Sequence, residues 1–278
     1  MTKSNDVKEI TDLLADLKEN HFAIGVKSEF EEEGASFEET VLLKELADLA
    51  GLDLTIKIGG CKAIKEMYEV KEIGANAIVA PMIETPYAAK SYIETVKLVF
   101  LEEELQKTDQ KVNQKVEFFI NIETIMGYVN IDEILNLKEC EILSGIVFGR
   151  GDMVKSMGLT KEDVNSDKIL EIAHNLAIKT SAFNKKFIIG GSVSTRSLPF
   201  FRKLPNSLNK IETRKIIFDA QKLLNSTNAE EAILKAINFE LMWIKNKREN
   251  YGIIRDIDAK RLITLENCRK KSVEIINC

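Results

Sequence analysis

Two carboxylates stand where successive short apolar runs end. Glu123 closes the run FFINIE, and Asp152 follows GIVFGRG. Runs of this kind read as buried strands. Acids at the ends of two neighbouring parallel strands suit a hard divalent cation, which takes oxygen ligands and keeps water positions open for substrate. Other polar residues fall in the same place after apolar runs: Lys27, Glu29 and Glu31; Lys57 with Gly59-Gly60; Glu84; Arg150 and Gly151; Gly190-Gly191-Ser192; Glu212 and Arg214. One acid in such a position only marks where a strand leaves the core. The repetition points to a site.

Each residue has an alternative role. Glu29 and Glu31 in VKSEFEEEG are acid/base candidates or a solvated acidic loop. Lys57 either serves the site as a compact cation or salt-bridges Glu84. Glu84 either takes part in catalysis or orients Lys57 or Arg150. Glu212 and Arg214, two apart on one expected strand, share a face and read as an internal ion pair. His21 precedes the first strand and His174 lies in a helical pattern, so both read as structural or exposed. No Ser/His/Asp arrangement, dinucleotide fingerprint or P-loop is present.

The elements that must position these groups alternate along the chain. Expected strands are Phe22–Phe30, Leu54–Gly59, Ala77–Ile83, Val116–Ile122, Gly145–Phe148, Phe187–Ile189 and Lys210–Phe218. Helical spacing covers Phe37–Ala50, Ala63–Ile73, Tyr87–Thr108, Ile131–Leu137, Lys168–Asn184, Ala229–Arg248 and Asp258–Ile276. Strands separated by helix-length segments imply parallel βαβ crossovers. Near-continuous apolar strands such as AIVAPMI fit a sheet covered on both faces. Ser36, Glu39 and Gly51 predict a capping box and a C′ glycine around the helix from Phe37. The reading is an α/β fold, a TIM (β/α)8 barrel with seven strands visible. Residues 1–278 form one domain, with 229–278 as a C-terminal helical extension that closes the barrel bottom or packs on another subunit.

With 278 residues, 45% of them hydrophobic, the chain has the length such a barrel needs. A net charge of −5, with basic residues interspersed among acids, disfavours a nucleic-acid surface. The small cluster Lys245, Lys247 and Arg248 reads as a solvated helix face. Four scattered cysteines, Cys61, Cys140, Cys268 and Cys278, read as reduced thiols. No signal-peptide core and no membrane-length apolar run is present, so a cytoplasmic protein is expected.

The stretches PMIETPYAAKSYIE (81–94), INIETIMGYVNIDEIL (120–135) and FGRGDMVKSMG (148–158) resemble the HpcH/HpaI aldolase and citrate lyase β-subunit family. That family has the pyruvate/phosphoenolpyruvate type of TIM barrel. Its signature is an apolar strand ending in I-E-T/S, a helix reading A-x-x-N-x-D-E-I, and an F/I-G-x-x-D-L/M-x-x-S-x-G loop. Here Glu123, Asn130 to Ile134, Gly149, Asp152, Ser156 and Gly158 match it. The likeness runs over about 54–158 and fades through the C-terminal third.

By this resemblance, Glu123 and Asp152 are Mg²⁺ (or Mn²⁺) ligands that present the cation to a pyruvate-like group, stabilising an enolate as a C–C bond breaks. The backbone N–H groups of Gly151 and Asp152 hold the substrate carboxylate. Arg150 stands where the family often has proline and is expected to bind an extra carboxylate or phosphate. Lys57 stands where the family usually has arginine, and the family's histidine proton relay has no counterpart.

The expected function is a Mg-dependent carbon–carbon lyase or aldolase acting on a small 2-oxo acid or acyl-CoA ester. Glu123 and Asp152 bind metal, Gly151, Asp152 and Arg150 bind substrate, and Lys57, Glu29 and Glu84 serve catalysis. A homo-oligomer is expected, with neither nucleic acid nor membrane as partner. Phosphoenolpyruvate-type mutase or hydrolase action on the same barrel stays open. So does a binding protein that kept the fold and lost turnover.

Overall fold

Eight strands close into one barrel in sequence order: β1 (Ala23–Glu29), β2 (Asp53–Lys57), β3 (Ala77–Ala80), β4 (Glu117–Ile122), β5 (Gly145–Gly149), β6 (Lys186–Gly190), β7 (Leu208–Glu212) and β8 (Ile216–Asp219). The computed structural model describes residues 2–101, 116–251 and 256–276. Of the expected elements, 102–108 of the third helical stretch lie outside the described residues. So do Cys278 and the side chains of Lys247 and Arg248.

Neighbours from β1 to β7 run parallel, as the βαβ reading requires. The eighth strand is hidden inside the expected seventh. Lys210–Phe218 is not one strand but a hairpin, with β8 antiparallel to both β7 and β1. Thr213 turns the chain: its N–H donates to the Ile216 carbonyl at 2.9 Å, and its hydroxyl accepts from the Ile216 N–H at 3.0 Å. The barrel is therefore closed and eight-stranded, but its last strand departs from the (β/α)8 pattern. One consequence is functional. The hairpin tip, Arg214 and Lys215, sits on the face where β1 to β7 end.

Burial sorts the strand residues into two sets. Ile78, Ala80, Ile120, Ile122, Ile146, Phe148, Phe187 and Ile189 join the large core between strands and helices. Their alternating neighbours Ala77, Val79, Phe119, Val147 and Ile188 form a separate small core inside the barrel. Below it, Glu117 pairs with Lys186 and with Lys210 at 3.1 Å. Above it, the inward positions are polar: Lys27, Glu29, Lys57, Asn121, Glu123 and Glu212, each at most 5% exposed. An apolar plug thus supports a charged layer at the end where parallel barrels carry their sites.

The helix Phe37–Leu49 has the expected capping box, and Gly51 follows with φ 67°. The helix Thr2–Asn20 is not among the expected elements, because its beginning is polar. Ile10, Leu14 and Leu17, spaced for one helix face, are all buried. It packs against Ala229–Tyr251, where Asn228 donates to the Asn20 carbonyl at 3.1 Å. The last helix, Asp256–Ile276, lies on Ala229–Tyr251 through a two-pronged pair, Arg261 to Glu240 at 2.6 and 2.9 Å. Cys61 and Cys140 are free thiols. Among the described residues no helix is long and apolar enough to cross a membrane.

Candidate active site at the barrel mouth

The strand ends repeat one local device. Ile122-Glu123-Thr124 closes β4. Ile83-Glu84-Thr85 follows β3 after Pro81 and Met82, since β3 ends at Ala80 and not at the expected Ile83. In each the threonine caps the next helix. Thr85 accepts from the Ala88 N–H, and Thr124 accepts from the Gly127 N–H. Because side chains alternate along a strand, Ile122 enters the outer core and Glu123 turns into the barrel.

Glu123 is 2% exposed and heavily engaged. Its Oε2 accepts from the Asn121 amide and from Lys57 Nζ at 3.3 Å, while Oε1 accepts from the Met82 N–H at 3.0 Å. Met82 is held at φ 50°, an unusual conformation for a side-chain-bearing residue. Gly149 makes room for the carboxylate, since a Cβ there would lie 2.8 Å from Glu123 Oε2. Burial raises the Glu123 carboxyl above its ordinary range, and the negative charges of Asp152 and Glu31 add to this against Lys57 and the Met82 N–H.

Lys57 is buried between two acids, with Nζ 2.7 Å from Glu31 and 3.3 Å from Glu123. Burial favours its neutral form, but Glu123, Glu29 and Glu31 outweigh burial and hold it protonated. That rules against a Schiff-base role. The expected Lys57–Glu84 pair is not formed. Glu84 is half-buried, and its backbone carbonyl accepts from the Asn130 side chain at 2.8 Å.

A second charged group lies beside the first. Lys27 Nζ is 2.6 Å from Glu212 and 2.9 Å from Glu29. The Glu212–Arg214 pair expected from their spacing is replaced. Glu212 serves Lys27, while Arg214 on the hairpin tip reaches Glu33 at 3.0 Å. Burial alone would raise the Glu29 carboxyl, but Lys27, Lys57 and Arg214 bring it down to about 2. This corrects its reading as the acid/base group: so acidic a carboxyl, clamped by an ammonium, is a poor proton carrier near neutral pH.

The sign for stability follows. A carboxyl lowered in the fold contributes stability that is full above its ordinary 4.5 and fades as pH falls towards about 2. The urea midpoint of the wild type should drop across that window, and Glu29→Gln should flatten the drop. Equal acid limbs in the two proteins would contradict the clamp.

Asp152 lies in the first turn of the helix Arg150–Ser156, with Lys155 Nζ at 2.8 Å. The Ser156 hydroxyl, five residues after Gly151, accepts from the Ile125 N–H at 3.0 Å and so ties this helix to the segment after Glu123. Asn130 and Ser156 are therefore staples between neighbouring loops. Gly151 meets Gly191, where a Cβ would lie 2.4 Å from the Gly151 nitrogen.

Arg150 is the clearest departure from the sequence reading. It is 0% exposed and presents no donor to the mouth. Nε donates to Gly190 O, Nη1 to Asn165 Oδ1 and Val164 O, and Nη2 to Gly191 O and Ser197 Oγ. The Phe200 and Phe201 rings flank the guanidinium at 4.9 and 4.6 Å. Burial pulls it down to about 9, still above neutral, so it stays a cation. An anion-binding role is replaced by a bracing one.

Among the described residues no three His, Cys, Asp or Glu side chains cluster as a metal cage. Glu123 and Asp152 do fit a cation that keeps several waters and takes only one or two carboxylates from the protein. The Asp152 charge raises the cost of ionising Glu123, and the buried Asn121 Oδ1 has no hydrogen-bond partner. Both histidines lie away from this face. His21 is buried beside Asp16 and Glu231, and His174 is exposed on the helix Asp167–Ala182. A cleft of about 800 Å³ adjoins the β1 and β2 loops, lined by Phe30, Phe37, Lys62, Ile64 and Glu66 among others.

Sequence reasoning underrates Lys27 and Asn121, although one signal is available. Each interrupts an otherwise apolar strand at an inward-facing position.

Residues 56–191 match the family model described as HpcH/HpaI aldolase/citrate lyase. No curated protein matches the sequence. Among solved structures, the chain is similar to an HpcH/HpaI aldolase from Desulfitobacterium hafniense DCB-2 at 14% identity, covering 67% of this chain and 75% of that one, with a TM-score of 0.55. A citrate lyase from Burkholderia xenovorans LB400 aligns at 12% identity over 96% of this chain and 88% of its own, with a TM-score of 0.56. The citrate synthase SbnG aligns at 18% identity over 77% and 84%, with a TM-score of 0.54. At these identities the structural likenesses carry the fold alone.

Proposed function

Starting from a chain that belongs, through residues 56–191, to the HpcH/HpaI aldolase/citrate lyase family and so to lyase-type enzymes, we propose a divalent-metal-dependent carbon–carbon lyase that works through an enolate. Its substrate is a small 2-oxo acid or an acyl-CoA ester. One observation carries the reading: Glu123 is buried, faces the charges of Asp152 and Glu31, and has a protonated lysine on one oxygen. The arrangement favours additional positive charge at the mouth.

Glu123 and Asp152 would hold Mg²⁺, which supplies Lewis-acid stabilisation of negative charge developing on an oxo oxygen. The chain's own residues do the rest. Lys57, a compact cation fixed between two acids, faces the same developing charge without losing its proton. Asn121 and the Met82 N–H fix the Glu123 carboxylate, so little reorganisation is needed as charge shifts. The Lys27–Glu29–Glu212 cluster balances charge beneath the mouth.

Titration with oxalate, a mimic of the pyruvate enolate, tests this. Oxalate should bind wild type only with Mg²⁺ present, and Glu123→Gln or Asp152→Asn should weaken binding by at least about tenfold. Binding that ignores both the metal and the two substitutions would remove the site from this reading.

A further inference from the structure

Among the described residues, several carboxylates approach the mouth, and most are already committed. Glu29 is buried against Lys27 at 2.9 Å. Glu123 carries three donors, and Asp152 holds Lys155 at 2.8 Å. Glu31 differs from all of them. It stands two residues beyond β1, on a loop, with its side chain 25% exposed. Its Oε2 is shielded from water and pairs with Lys57 Nζ at 2.7 Å.

That combination is what a proton carrier needs: a carboxylate that reaches into the site beside Lys57, on a side chain that solvent reaches. Lys57 cannot fill the role, since its neighbours hold it protonated. Lys27 is clamped between two acids, and both histidines lie elsewhere.

Building on the enolate reading, we propose that Glu31 is the general base that takes the proton from the carbon next to the oxo group. Its carboxylate accepts the proton as the C–H bond breaks. The bonding pair moves into the new C=C bond, and the carbonyl pair moves onto oxygen, facing Lys57. The protonated Glu31 then exchanges with solvent, and the reverse step returns a solvent proton to carbon. No oxidant or further reactant is consumed.

The probe is pyruvate in D₂O with Mg²⁺, with loss of the methyl proton signal followed by NMR. The same proteins are titrated with oxalate. Wild type should exchange the methyl protons. Glu31→Gln should exchange at least about 100-fold more slowly while binding oxalate as wild type does, and Glu31→Asp should lie between.

Undiminished exchange in Glu31→Gln overturns the assignment. So does exchange lost together with oxalate affinity, which would make Glu31 a positioning residue acting through Lys57. A wild type that binds oxalate but exchanges nothing overturns the base and leaves the enolate site standing. A wild type that does not bind oxalate overturns the enolate reading and this assignment with it.

Discussion

Arg150→Met should lower the unfolding free energy by about 3 kcal/mol, read from urea midpoints at constant slope. Two opposing effects decide the size. Methionine fills the slot between Phe200 and Phe201 and removes a buried charge, which is favourable. It also strands the carbonyls of Val164, Gly190 and Gly191, which now accept from the guanidinium in a region without solvent. Each unsatisfied buried acceptor costs about 1–3 kcal/mol, so three of them exceed the relief. Arg150→Lys should do no better. An ammonium keeps the buried charge but lacks the planar fork that spans four segments. If Arg150→Met is instead more stable than wild type, the cost of burying the charge dominates and the bracing account fails.

Why the sequence misleads at Arg150 is a question of direction, not of residue type. GRGD places arginine beside a site acid, and from spacing alone such a cation reads as an anion binder. Its helix begins at that residue, and the side chain runs outward beneath the β6 loop, a path set by elements 14 to 47 residues further along. Glu29 misleads for a related reason. Its position at the end of β1 is legible, but the clamp on it comes from Lys27, whose other partner Glu212 is 185 residues away and adjacent only because β8 closes the barrel.

What is legible rests on local rules. Apolar runs ending in Glu-Thr specify β3, β4 and the helices after them, because strand, inward acid and helix cap are all set within a few residues. The capping box at Ser36 and Glu39 is of the same kind. Closure is not local. The turn at Thr213 carries none of the glycine or proline that usually marks a hairpin, so IETRKIIF reads as one uninterrupted strand. Its reversal is stabilised by the threonine hydroxyl and by Glu33, which draws both Arg214 and Lys215 back over β1. The acidic loop that reads as a mere solvated EFEEEG therefore divides its work, with Glu29 and Glu33 structural and Glu31 turned to the site.

The glycine pair of FIIGGS reads equally as a tight strand exit and as a cradle, and Gly191→Ala separates these. The variant should lose at least about 3 kcal/mol of stability and, in whatever fraction folds, most Mg²⁺-dependent oxalate affinity. Gly191 sits at φ 80°, a conformation costing a side-chain-bearing residue about 1 kcal/mol by itself. Steric contact costs more. A Cβ there would lie 2.4 Å from the Gly151 nitrogen and 2.7 Å from the Arg150 nitrogen. Both are backbone atoms, and no rotamer change moves them aside. The chain must either pull the β6 loop from the helix Arg150–Ser156, breaking the guanidinium bonds to Gly190 and Gly191, or push that helix and Asp152 with it. Gly60→Ala, after β2 on the same end of the barrel, is the control, since no atom lies within 4 Å of a Cβ there. If Gly191→Ala folds like the control yet loses oxalate, the pair is a cradle for the ligand. If it loses stability and affinity together, as these contacts require, the close approach of two loops is what the glycine provides.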